Sequence, residues 1–103
     1  MGNKDGLQRT LGNQAVILYS CGELDGAMAR FKEQERLCRE LGNPEGLSRS
    51  LANQALLLSS TPDRRREARR LADEALAIAT RHGYRQLVPG IEAIRDSISS
   101  SQQ

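Results

Sequence analysis

Apolar residues recur along this chain at steps of three and four, the spacing of one helix face, in five stretches. Leu7, Leu11, Ala15 and Leu18 make the first stripe, and Leu24, Ala27, Phe31, Leu37 and Leu41 the second. Leu47, Leu51, Ala55 and Leu58 repeat the first, and Ala68, Leu71, Ala72, Ala75, Ile78 and Ala79 follow. Leu87, Ile91, Ile94 and Ile98 form the last. The residues between the stripes are helix punctuation. Asn3 stands as the cap of a first helix, which Cys21-Gly22-Glu23 ends, with Gly22 supplying a left-handed stop. A second helix is predicted over 24–41, closed by Gly42. Asn43-Pro44-Glu45 then combines a cap, a first-turn proline and an acid at the positive end of the helix dipole. Ser59-Ser60-Thr61-Pro62-Asp63 is the next turn, with Thr61 as cap, and a helix over 62–82 runs to Gly83. Pro89 and Gly90 weaken the start of the last helix.

The stripes belong to a repeat. Residues 2–18 (GNKDGLQRTLGNQAVIL) and 42–58 (GNPEGLSRSLANQALLL) align without gaps and share ten of seventeen residues. A period of that length marks units that cannot bury their apolar faces alone and stack on one another. The expected fold class is therefore all-α: antiparallel helix-turn-helix repeats stacked as a short right-handed α-solenoid. Its units are 4–41 and 44–82, with 85–98 as a capping helix or partial third repeat and 99–103 as a frayed tail.

Length and composition narrow the function. At 103 residues there is room for one compact domain or a short array. Aromatic content is 3% with no Trp, so the core is built from Leu, Ile and Ala, which suits closely packed helices. A net charge of +2, from 15 basic and 13 acidic residues, is too balanced to imply nucleic acid or a membrane surface. No apolar run approaches a membrane span and the N-terminus lacks a signal peptide's apolar segment, so a cytoplasmic protein is expected. Cys21 and Cys38 are read as two reduced thiols, one near a helix end and one on a helix face; a disulfide framework or a zinc site needs more ligands.

The segment LGNQAVILYSCGELDGAMARFKEQERLCRELGNPE resembles a tetratricopeptide repeat. It has a small residue in helix A (Ala15), a Gly-acid turn (Gly22, Glu23), a small residue early in helix B (Ala27), an aromatic one turn on (Phe31) and an apolar residue near the end (Leu37). Ala55, Ala68, Ala72, Ala75 and Ile78 take the corresponding places in the second unit. The period of 40 to 41 resembles the longer-helix variety of kinesin light chains and nephrocystin-like bacterial proteins. Gln14 and Gln54 stand where that pattern has an apolar residue, Gln34 where it has Ala, and Ala72 where it has an aromatic.

Candidate chemistry is sparse. No Walker loop, GxGxxG, HExxH, GxSxG or EF-hand loop is present, and the single His, His82, sits beside a helix stop, where it is read as a capping residue. The chain is expected not to be an enzyme and to need no cofactor or metal. Glu33 and Glu35 read as solvent charges. Arg64-Arg65-Arg66 with Arg69 and Arg70 lacks the interleaved aromatics that stack bases and is flanked by acids, so a solvated face is expected in preference to an acidic-partner contact or nucleic acid.

More pointed are Arg9 with Asn13 and Arg49 with Asn53, each spaced i, i+4 and off the apolar stripe, so that stacking two units lines up four polar groups. An amide both donates and accepts, which suits a peptide main chain, and Arg can take a carboxylate with two bonds. The resemblance implies that helix A lines a concave groove and that such an Asn grips the backbone of an extended peptide. Arg9, Asn13, Arg49 and Asn53, with Gln14 and Gln54 as further candidates, are thus the expected peptide-binding residues of a protein-protein interaction module for an extended or acidic peptide. Bridging between neighbouring helices is the alternative role for the two Asn. The alternative function is a structural repeat fragment, an excised or designed piece of a longer array or a unit that self-associates, with no ligand of its own. Leu7, Val16, Ile17 and Tyr19 give the first helix more apolar surface than one neighbour covers, which favours contact with another copy, as a homo-oligomer, or with a missing upstream repeat.

Overall fold

The computed structural model describes residues 3–100, with the backbone alone at Ser100. Five α-helices follow one another: α1 (Asn3–Ser20), α2 (Leu24–Leu41), α3 (Pro44–Leu58), α4 (Arg65–Arg81) and α5 (Val88–Ser100), with a 3-10 turn at Pro62–Arg64. No strand occurs among the described residues. The fold is all-α and repeat-like. Each helix packs on the next in sequence, and α1 also touches α3, as α3 touches α5. The assembly is a slab of 49 × 32 × 19 Å.

Helix ends follow the residues predicted to set them. Gly22, Gly42 and Gly83 all take positive φ, a conformation in which a side chain would be strained. The Asn43 side chain accepts a hydrogen bond from the Gly46 N–H at 3.0 Å, and Pro44 begins α3 without missing a donor. At His82 the backbone, not the imidazole, makes the helix-ending bonds: the His82 N–H reaches the Ile78 carbonyl at 3.1 Å and the Gly83 N–H the Thr80 carbonyl at 3.2 Å, while the ring stacks on Tyr84 at 5.6 Å. Three expectations are corrected. Asn3 is itself helical and does not flank α1 as a cap. Thr61 precedes the 3-10 turn but gives it no side-chain cap, and the helix expected over 62–82 starts as a helix only at Arg65. Ser99 and Ser100 extend α5, and the rest of the predicted tail, 101–103, lies outside the described residues.

The core repeats as the sequence does. Ala15, Ala27, Phe31 and Leu57 form one buried cluster, and Ala55, Ala68, Ala72 and Ile98, each 40 or 41 positions later, form another. In both, one helix A, its helix B and the following helix A meet at small residues. Alanines let the backbones approach, and Phe31 or the surrounding Leu58, Leu71 and Ile94 fill the remaining space. A third cluster around Leu51, Ala75, Ala79 and Ile91 joins α3, α4 and α5. Hydroxyls complete the contacts of α3, as Ser50 donates to the Phe31 carbonyl at 2.6 Å and Ser48 to the Ala75 carbonyl at 2.9 Å. Surface ion pairs such as Arg39 with Glu35 and Glu74, at 3.0 and 3.1 Å, add little individually. None of the helices is long and apolar enough to cross a membrane, among the described residues.

Candidate functional site

The i, i+4 spacing of Arg9 and Asn13 on α1, and of Arg49 and Asn53 on α3, turns all four side chains toward one open groove of ≈ 490 Å³ between the two helices. Val16 adds the apolar part of the α1 wall, and Asn43, Glu45 and Gly46 the start of the α3 wall. The floor is made of Gln8, Gly12 and Gln34.

Each arginine is already held. Arg9 reaches Asp5 at 3.2 Å and Arg49 reaches Glu45 at 3.0 Å, both across one helical turn. The two rims therefore carry alternating acid and base, and their formal charges cancel. Exposed pairs of this kind are worth a few tenths of a kcal/mol, so either partner is free to exchange for a ligand's charge. A ligand carboxylate taken by Arg9 or Arg49 has to displace Asp5 or Glu45.

Beneath the groove lies a buried polar network that the sequence reading did not anticipate. Gln8 accepts from the Gln34 amide at 3.1 Å and from the Cys38 thiol at 3.3 Å, and donates to Asp5 at 3.3 Å. Gln8, Gln34 and Cys38 are all buried. Polar side chains enter a helical core only when they bond one another, and here the bonds join α1 to α2. Two glycines make room. A Cβ on Gly12 would stand 2.7 Å from the Gln34 amide nitrogen, and one on Gly46 would stand 2.6 Å from the Cys38 sulfur. Glycine at these two places, with glutamine on one face of α1 and α2, is the only sequence signal the network leaves.

Burial, and then the nearby Asp5 carboxylate, push the Cys38 thiol up to about 11 from 9.0. Cys38 therefore stays protonated through neutral pH, whereas Cys21 is exposed. In the native protein one thiol of the two is expected to react with an aromatic disulfide reagent, the second appearing only with unfolding; fast reaction of both would contradict the burial of Cys38. Because the folded state raises this pKa, its contribution to stability is complete below about pH 9 and is lost as pH rises toward about 11. Urea midpoints measured across that window should fall, and fall less in Cys38→Ser.

Gln14 and Gln54 do not join the groove. Gln14 is exposed on another face of α1, and Gln54 is buried against α2, donating to Glu35 at 2.9 Å and to Ser50 at 3.3 Å. Each follows its groove-lining asparagine by one residue, which turns it about 100° around the helix and away from the groove. Glu35 is thus a structural acceptor as well as a surface charge, correcting the reading of it as a solvent charge. Compared with family models, curated proteins and solved structures, this chain matches none of them.

Proposed function

We propose that this chain is a non-enzymatic interaction module that holds an extended peptide in the groove between α1 and α3. The observation that carries this reading is the convergence of Arg9, Asn13, Arg49 and Asn53 on one open groove from two copies of the same sequence. Asn13 is exposed and Asn53 half-buried, and no side-chain bond commits either one. Each can offer a donor and an acceptor to a peptide backbone, which reads the main chain without regard to its side chains. The balanced rims favour a peptide of mixed charge, with an acidic side chain taken wherever it outcompetes Asp5 or Glu45. This use of the helix A surface is the one the tetratricopeptide resemblance implies.

The test is a peptide selected from a random displayed library against the native chain. Asn13→Ala with Asn53→Ala should lower its affinity by about tenfold or more, while leaving the urea midpoint close to wild type. Undiminished affinity in the double variant sinks the groove assignment. A second reading, a structural unit that assembles through exposed helix faces, is favoured by the exposure of Leu7, Val16, Ile17 and Tyr19. A solution mass well above 11.4 kDa at micromolar concentration would put that reading first.

A further inference from the structure

The two copies of helix A carry the same outer face, but only one is covered. On α3 this face is Ser50, Gln54 and Leu57, and all three are buried against α2: Ser50 donates to the Phe31 carbonyl, Gln54 donates to Glu35, and Leu57 packs on Ala27 and Phe31. Forty positions earlier the same face of α1 is Thr10, Gln14 and Ile17. It keeps the hydroxyl, the glutamine and the branched aliphatic, yet all three are exposed, Ile17 to 62% where Leu57 is 5%. The Thr10 hydroxyl turns back to the Gly6 carbonyl at 3.0 Å.

From this internal comparison we infer that the outer face of α1 docks an amphipathic helix from outside residues 1–103. The occupant carries the chemistry with which α2 meets α3: a bulky apolar residue, as at Phe31, followed four residues later by an acid, as at Glu35. Ile17 seats the apolar residue and Gln14 donates to the acid. A second copy of this chain does not supply that helix. Its α2 is already taken by its own α3, and its α5 exposes Glu92 with a half-buried Arg95 in place of an apolar ridge. Two α1 faces set back to back would oppose Gln14 to Gln14 with no carboxylate for either.

The probe is a peptide of residues 22–43 of this chain, stapled across positions 32 and 36, which are exposed in α2. Staples hold a segment helical that is too short to be helical alone. Titrated into the isotopically labelled full chain, it should produce saturable shifts in the backbone amides of Thr10, Gln14 and Ile17. Ile17→Glu in the protein and Glu35→Lys in the peptide should each weaken binding by about tenfold or more, while Arg70→Glu, at an exposed position of α4, leaves it unchanged. Because Ile17 is exposed, its replacement leaves the fold standing. Absence of saturable shifts overturns the inference. So do shifts confined to α3, which would mean that the peptide displaces the chain's own α2, and so does a dimer that Ile17→Glu abolishes, which would make a second copy the occupant.

Discussion

Phe31→Ala should destabilise the chain by about 3–5 kcal/mol, the largest single loss we expect. Phe31 is the only phenylalanine, 2% exposed, and lies where α1, α2 and α3 meet. Its ring packs on Ala15, Ala27 and Leu57, and small side chains cannot close over the space it would leave. A cavity there also loosens α3, whose Ser50 bonds the Phe31 carbonyl. For a domain of this size such a loss is a large part of the total stability. Urea unfolding followed by circular dichroism would show the midpoint shift. Ala72→Phe, its counterpart in the second unit, should not be a gain, because Leu58, Leu71 and Ile94 already fill the space around that cluster and an added ring overpacks it. A Phe31→Ala midpoint near wild type would mean that the first cluster is not the joint between the units.

Gly46→Ala comes second, with an expected loss of about 1–3 kcal/mol. In the middle of an exposed helix the same change would be stabilising by about 1 kcal/mol, so the sign itself is diagnostic. The added methyl would stand 2.6 Å from the Cys38 sulfur and 3.0 Å from both the Asn43 amide nitrogen and the Gln8 amide oxygen. The sulfur is buried and held by Gln8, and Asn43 is held as the α3 cap, so neither can easily give way. Removing the sulfur should relieve the clash. Gly46→Ala combined with Cys38→Ala is expected to lose less than the sum of the two single losses, and a double-mutant cycle reads that coupling directly. Simple additivity would place the two residues out of contact.

The sequence made the helices, their ends and the repeat legible, because Leu, Ala and Ile at steps of three and four, with Gly at three stops and Asn43 before Pro44, each have one good structural use. It also placed Arg9, Asn13, Arg49 and Asn53 on one side, since their spacing alone decides which face they share. Gln8, Gln34 and Cys38 were less legible. Burial of a glutamine depends on partners on other elements; those of Gln8 are 26 and 30 positions away in sequence, and the Gln34 amide oxygen is buried without one. Gln14 and Gln54 show the limit most clearly. Their sequence surroundings nearly coincide, yet Gln54 is buried by α2 and Gln14 is exposed, because burial depends on what precedes each unit in space. For the same reason Leu7 and Ile17 are exposed at 46% and 62% despite belonging to an apolar helix.

Amide shift mapping of the 103-residue chain with a library-selected peptide asks whether the groove between α1 and α3 is where the peptide binds. The shifts should concentrate at Arg9, Asn13, Arg49 and Asn53, with the side-chain amide signals of both asparagines moving on binding. Shifts gathered instead on α4 and α5, with those four residues unmoved, would contradict the groove assignment.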